Sequence, residues 1–298
     1  MRANQVPEQS LERRGEKQET SQLPSHAFCT GARFPASIHV HDVAGESSDL
    51  RHSLRTVMTL AGIKVVLFDL MGTCVDWKSS IVAALHDCPH ALGLHPNDYE
   101  VLATDWRAGF FERILALSGQ QSPDIDEIHR DVLNALLADR GVSEDDWDAD
   151  VRARLVAAWH HQLPWPDSAN GLRRISAKYP AVVLANGTTK LQLDIVRSAG
   201  IHFDALFSSK LLGYTKPDPR IYEKALEMLE CAPTEAVMVA AHAYDLRAAN
   251  KLGIRTIYVR RSTEDPTEDM DAVRHDVDFF VDGTIGDGLC EVAALLGC

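Results

Sequence analysis

Hydrophobic and polar positions follow two different periods along this chain. Short apolar runs typical of buried strands lie at residues 65–68, 181–184, 237–240, 255–259 and 279–281. Amphipathic stretches with helical spacing separate the later runs, at residues 190–199, 220–229 and 245–252. Apolar strands that alternate with helices predict an α/β fold, a doubly wound, Rossmann-like parallel sheet with helices on both faces.

The segment from residue 78 to residue 163 has a different pattern. It contains no convincing strand, and its apolar residues have helical spacing at 81–92, 99–117, 125–140 and 148–162. Acidic residues favour the N-terminal end of a helix, so the run 143–150 predicts a solvated helix start. We therefore predict an all-helical module at 78–163, inserted into a core formed by residues 58–77 and 164–298. The proline-containing segment 163–172 returns the chain to the sheet.

The first 57 residues are polar and rich in Ser and Gln, and they have no sustained period. This composition predicts a mostly disordered extension. The extension lacks the compact apolar segment of a secretory signal, and its early acidic residues argue against a mitochondrial transit peptide.

Composition narrows the classes of function. The hydrophobic share of 45% and the charged share of 24% are typical of a soluble globular protein. A net charge of −13 argues against a nucleic-acid or anionic membrane surface, but it allows a basic pocket for a small anionic substrate. No apolar run reaches the length of a membrane span. The six cysteines have no CxxC spacing, which favours free thiols in a cytoplasmic protein over a zinc or redox site.

Polar residues follow several predicted strands. Asp69 follows the first, Asn186 and Thr188 follow the second, and Asp245 follows the run at 237–240. Lys216 lies in a separate loop before a Pro-Asp-Pro turn. Each feature by itself also fits a helix cap or an exposed turn. Because ligands bind at the carboxyl ends of parallel strands, the ordered set predicts one functional site there.

The segments that carry these residues read FDLMGT (68–73), LANGT (184–188), YTKPDPRIY (214–222) and AHAYDLRAA (241–249). Together they resemble the four motifs of the haloacid dehalogenase-like hydrolase superfamily, and the likeness is closest to the type II (S)-2-haloacid dehalogenases, in a fungal-like branch. The resemblance covers residues 62 to about 285, and it identifies the inserted helices as a cap domain.

The resemblance implies the following catalytic roles. Asp69 matches the nucleophile, which displaces halide and forms an ester that water then hydrolyses. Asp245 matches the carboxylate that orients or activates this water. Lys216 matches the lysine that keeps the nucleophile ionised. Neither a metal nor a cofactor is expected.

The expected substrate-binding residues come from the same motifs and from the cap. Arg107 matches an arginine that reaches the substrate or the departing halide, and its alternative is a surface arginine in a salt bridge. His242 stands where the family pattern has an amide, and three readings stay open for it: contact with the substrate, assistance to the water, or a hydrogen-bonded spacer. The expected set is Thr73, Arg107, Asn186, Thr188, Tyr222 and His242.

Met71 separates the competing functions. Phosphatases of the superfamily carry an acid two positions after the nucleophile, which protonates a leaving alkoxide, whereas a halide needs no proton. We therefore expect a metal-independent 2-haloacid dehalogenase. The alternatives are a related hydrolase of another carboxylate or phosphorylated metabolite, for example in secondary metabolism, and a non-catalytic binding protein. Apolar faces on the cap helices are compatible with a homodimer.

Overall fold

The computed structural model describes residues 60–89, 94–116 and 124–298. The predicted extension at 1–57 lies outside the described residues, as do the last residues of the predicted helices 81–92 and 99–117. Within these ranges, no helix is both long enough and apolar enough to cross a membrane.

The strands form one large sheet and one small ribbon. Their bounds are β1 (Val65–Phe68), β2 (Val75–Asp76), β3 (Leu163–Pro164), β4 (Ala181–Ala185), β5 (Ala205–Ser208), β6 (Ala236–Ala240), β7 (Arg255–Arg260) and β8 (Phe279–Asp282). The six-stranded sheet has the order β5-β4-β1-β6-β7-β8, and all its neighbouring strands are parallel. This confirms the predicted fold class. Strand β5 was missed because it is a short edge strand in which Ala205 and Leu206 are only partly buried.

The helices divide between the two faces of the sheet and the insertion. The insertion contains α1 (Trp77–His86), α2 (Tyr99–Ala116), α3 (Ile125–Asp139) and α4 (Ala149–Ala158). The core contains α5 (Ser168–Ser176), α6 (Thr189–Ser198), α7 (Ser209–Leu212), α8 (Pro219–Met228), α9 (Ala243–Lys251), α10 (Met270–Asp276) and α11 (Gly288–Leu295). Short 3₁₀ helices lie at Pro96–Asp98, Pro233–Glu235 and Gly283–Ile285.

The central strand β1 shows why its sequence is a continuous apolar run. Its side chains alternate between the faces, so Val66 and Phe68 pack with α5, α6 and α11, whereas Val65 and Leu67 pack with α8 and α9. Both faces are covered, so every position of the strand is buried. Full burial of such side chains stabilises the fold by about 1.5–3 kcal/mol each.

Helices α1 to α4 form a helical cap. Helix α1 packs against α2 and α4, and α3 packs against the same two helices. The chain passes between core and cap twice, and the two connecting segments form the antiparallel ribbon of β2 and β3, with Val75 opposite Pro164. The acidic run 143–150 contains a helix start, as predicted: the Asp148 side chain accepts from the Val151 amide and α4 begins at Ala149. The domain boundaries at 78 and 163 stay predictions.

Helix α5 was not predicted, because the two prolines of the segment 163–172 suggested a connecting segment. Gly171 lies inside this helix, where a Cβ would come within 2.5 Å of the Leu289 backbone. The glycine therefore permits close packing of α5 on α11, which is worth more than its weak helix propensity.

Candidate active site

Asp69 sits at the carboxyl end of β1 and is only 6% exposed. Its backbone amide donates to the Val239 carbonyl at 3.0 Å, which fixes its position beside β6. Gly72 then turns the chain with φ +81°, and a Cβ there would lie 2.4 Å from the Glu264 carboxylate. Only glycine fits this turn, which brings Thr73 back to Asp69.

The Asp69 carboxylate accepts three hydrogen bonds from side chains. Lys216 Nζ donates to Oδ1 at 3.0 Å, while Thr73 Oγ1 and His242 Nδ1 bind Oδ2 at 2.8 and 3.0 Å. Burial by itself would raise the pKa of Asp69, but Lys216 and His242 outweigh it and hold the pKa well below its ordinary value. Asp69 is therefore ionised at neutral pH.

One buried ammonium group serves two carboxylates. Lys216 is 1% exposed, and its Nζ contacts Asp245 Oδ2 as well as Asp69. Burial opposes its charge, yet the two carboxylates raise the pKa of Lys216 above its ordinary value. Burial also raises the pKa of Asp245, which Lys216 only partly offsets. Tyr222 donates to Asp245 Oδ1 at 2.5 Å and so holds the other oxygen.

Asn186 holds the backbone of the lysine loop. Its Oδ1 accepts from the Lys216 amide at 2.8 Å, and its Nδ2 donates to the Lys216 carbonyl at 3.2 Å. Thr188 caps α6, because its Oγ1 accepts from the Leu191 amide at 3.0 Å. The described residues that line the cavity beside Asp69 include Asn186 but neither Thr188 nor Tyr222. The substrate-binding roles of these three residues stay predictions.

His242 is hydrogen-bonded at both ring nitrogens. Nδ1 faces Asp69, and Nε2 lies 2.8 Å from Glu264 Oε2. Trp77 Nε1 and Thr263 Oγ1 donate to Glu264 Oε1 at 2.5 and 2.7 Å. Burial alone would lower the pKa of His242, but its two carboxylate partners raise it to about 10. His242 is thus a buried imidazolium at neutral pH. It also lines the cavity beside Asp69, so its three predicted roles stay predictions.

The cavity beside Asp69 has a volume of about 50 Å³. Arg107, 8% exposed, enters it from α2, and its guanidinium lies 4.3 Å from the ring centroid of Phe111. Among the described residues, Arg107 Nε has no hydrogen-bond partner, and burial lowers the pKa of the guanidinium. This burial excludes the alternative of a surface arginine. Most other lining side chains are apolar or aromatic: Met71, Phe110, Phe111, Ile114, Ile125, His129, Leu191 and Tyr244.

The described side chains around Asp69 are poorly arranged to bind a metal ion. Within the described ranges, no group of three or more His, Cys, Asp or Glu side chains is placed to hold one. Asp69 and Asp245 share the Lys216 ammonium, so a divalent cation at these carboxylates would have to displace it.

Comparisons with known proteins identify the family of this chain. The family model of the haloacid dehalogenase-like hydrolases matches residues 63–253, more than half of the chain. The chain belongs to this family. (S)-2-haloacid dehalogenase 1 of Pseudomonas sp. (strain CBS-3) is 26% identical to this hydrolase over 204 residues, which cover 67% of this chain and 85% of the relative.

Other matches extend the comparison. The crystal structure of the L-2-haloacid dehalogenase PA0810 is 33% identical, with a TM-score of 0.67, and the match covers 79% of this hydrolase and all of that chain (100%). A phosphoserine phosphatase of Thermus thermophilus is 37% identical, but over only 94 residues, 30% of this chain and 38% of the phosphatase. The family is therefore shown, while the bond that this hydrolase cleaves is a separate question.

Sequence reasoning missed several residues of this site, above all Glu264 and Trp77. Glu264 follows β7, whose carboxyl end lies at the same sheet edge as those of β1 and β6. The rule that predicted Asp69 at the site also applies to the loop after β7, so Glu264 could have been predicted from the sequence. Trp77 and Phe111 could not have been predicted in this way, because aromatic residues in a helix usually indicate core packing.

Proposed function

We propose that this hydrolase cleaves the carbon–halogen bond of small 2-haloacids, with Asp69 as the nucleophile. The observation that carries the proposal is the pairing of an ionised Asp69 with the buried Arg107 across a small, mostly apolar cavity. The relatives named (S)-2-haloacid dehalogenases support the same activity.

The cation in the cavity favours an anionic substrate. Arg107 Nε is a buried donor without a partner among the described residues, and such a donor gains a charge-assisted bond from a carboxylate or a halide. The cavity volume of about 50 Å³ is a few times the 10–15 Å³ or so that one water molecule needs. This space suits a substrate of few heavy atoms.

In the first half-reaction, Asp69 attacks the carbon that bears the halogen. A carbon–oxygen bond forms, the carbon–halogen bond breaks, and the halide departs with the electron pair. No proton is needed, which fits Met71 in place of an acid beside the cavity. In the second half-reaction, water attacks the ester carbonyl, with Asp245 accepting the proton of the water.

The decisive experiment compares two substrates under two metal conditions. The protein is incubated with (S)-2-chloropropionate and with p-nitrophenyl phosphate, each with magnesium or with a chelator. Asp69→Asn tests the nucleophile, and Asp282→Asn is the matched control, since Asp282 is exposed at the end of β8. Halide release that survives chelation, persists in the control and vanishes in Asp69→Asn supports the proposal.

Two other outcomes contradict it. Magnesium-dependent phosphate release would favour hydrolysis of a phosphorylated metabolite. Inactivity on every substrate, with cellular function intact in Asp69→Asn, would favour a binding protein. The ester itself is tested by repeated turnover in ¹⁸O-water, after which the label should reside in Asp69.

A further inference from the structure

The two oxygens of Asp69 have unequal environments. Oδ2 accepts two hydrogen bonds, from Thr73 Oγ1 at 2.8 Å and from His242 Nδ1 at 3.0 Å. Oδ1 accepts one, from Lys216 at 3.0 Å. A carboxylate oxygen has two lone pairs, so Oδ1 is the oxygen with one left for attack. An ester formed through Oδ1 leaves Oδ2 as its carbonyl oxygen, already facing two donors.

We propose that Thr73 and His242 form the oxyanion hole for hydrolysis of this ester, and that Glu264 is the positioning residue that maintains it. The inference rests on the proposed function and deepens it. An oxyanion hole needs donors about 2.7–3.1 Å from the oxygen that becomes negative, and both distances fall in this range.

The electrons and protons of the step balance. Water attacks Cγ of Asp69, its proton passes to Asp245, and the carbonyl π pair moves onto Oδ2. The electron pair on Oδ2 then re-forms the carbonyl, the Cγ–Oδ1 bond breaks, and the alkoxide of the product takes the proton from Asp245. Asp69 is left as a carboxylic acid with one oxygen from water, and it releases its proton to solvent.

Thr73 is fixed as a donor by a second bond. Its Oγ1 accepts from the Ala241 amide at 2.9 Å, so the hydroxyl hydrogen is directed to Asp69. His242 is fixed by Glu264, which is itself held by Trp77 and Thr263. Every member of this network is at least half buried, so water does not replace these partners readily.

Glu264 matters most once the ester has formed. Asp69 then carries no charge, and His242 has lost one of its two carboxylate partners. Glu264 still accepts from Nε2, so the proton on Nδ1 still faces Oδ2. Three other charged or titratable groups face His242 and Glu264. They are Arg107 on α2, Tyr244 on α9 and Asp265, which is next to Glu264 in the chain. Asp265 bonds to the Ala243 amide and Tyr258, so it does not replace Glu264.

The test separates the two half-reactions in Glu264→Gln. This nearly isosteric change removes the negative charge beside Nε2, so in the ester, where Asp69 is also uncharged, neither of the two carboxylates that bind the His242 ring holds its second proton. Rapid quenching with (S)-2-chloropropionate, followed by intact-protein mass spectrometry, measures ester formation and ester hydrolysis separately. Loss of one oxyanion-hole donor should slow hydrolysis by about 10²-fold or more. Ester formation should change little, so the adduct should dominate at steady state.

Two further variants sharpen the result. Glu268→Gln is the matched control in the same loop, since Glu268 pairs with Arg247 and contacts neither His242 nor Asp69 in the described residues. It should behave as wild type. Trp77→Phe removes the indole donor to Glu264, and it should slow the same half-reaction by a smaller factor. If Glu264→Gln fails to fold, Trp77→Phe still tests the inference.

A purely structural role for Glu264 predicts a different outcome. Equal slowing of both half-reactions, or no adduct in Glu264→Gln, would overturn the inference. A wild-type protein inactive on haloacids would refute the proposed function, and ¹⁵N-histidine NMR of the free protein then decides the network. An imidazolium signal for His242 above pH 8, lost in Glu264→Gln, supports the network, whereas a neutral His242 in the wild type overturns it.

Discussion

The buried His242 makes the stability of this protein depend on pH in a defined direction. Its pKa in the folded state, about 10, lies above its ordinary value of 6.5. The folded protein therefore keeps a proton that the unfolded chain releases above about pH 6.5. The stabilisation is fully present below about pH 6.5 and is lost progressively as the pH rises towards 10. One proton changes the free energy of unfolding by about 1.4 kcal/mol per pH unit.

Between about pH 7 and 8.5 the wild type should thus lose about 2 kcal/mol of its free energy of unfolding. Cysteine thiols of the unfolded chain, whose ordinary pKa is about 8.5, also release protons towards the top of this interval, so the contribution of His242 is the difference in slope between the wild type and His242→Gln. Urea unfolding at closely spaced pH values measures the slope. His242→Gln and Glu264→Gln should flatten it by about one proton, and Glu268→Gln should keep it. A wild-type free energy that stays constant across the interval would show that His242 is not an imidazolium at these pH values.

Three other substitutions test the site. Lys216→Met should abolish halide release and lower the free energy of unfolding by about 3–5 kcal/mol, since it removes the cation paired with the buried Asp245 and one of the two cations paired with Asp69; a stable, active variant in urea and halide assays would contradict this. Arg107→Leu should lower kcat/KM roughly 10–100-fold, the worth of one charged hydrogen bond. Its Tm should not fall, because the guanidinium is buried with an unpaired Nε, and Arg113→Leu on the same helix is the exposed control. Gly72→Ala should be less stable by urea unfolding than Gly62→Ala. Both glycines have positive φ, but a Cβ meets Glu264 only at Gly72, so equal losses would argue against that contact.

The sequence by itself determined the architecture and several of the residues around Asp69. Burial on both faces of a parallel sheet requires continuous apolar strands, so β1 and β6 could be located from the sequence. Ligands collect at the carboxyl ends of such strands, which placed Asp69 and Asp245 together before any distance was known. The absence of an acid at Met71 is a fact of the sequence alone.

Other elements gave weak local signals. The edge strand β5 is short, and two of its four residues are only partly buried, so its apolar pattern is weak. Helix α5 contains Gly171, because a larger side chain there would clash with the backbone of Leu289. Leu289 lies far away in the sequence. Hydrophobic periodicity indicates which local positions are buried. It does not indicate which distant residues will contact them in the fold.

Only the tertiary structure decided how the charges pair. Lys216 bridges Asp69 and Asp245, and His242 bridges Asp69 and Glu264, through contacts between residues up to 173 positions apart. Ionisation in a buried site depends on which opposite charges lie within hydrogen-bond distance and on how much water is excluded. A motif names the residue types, but distance and burial make Asp69 an anion and His242 a cation.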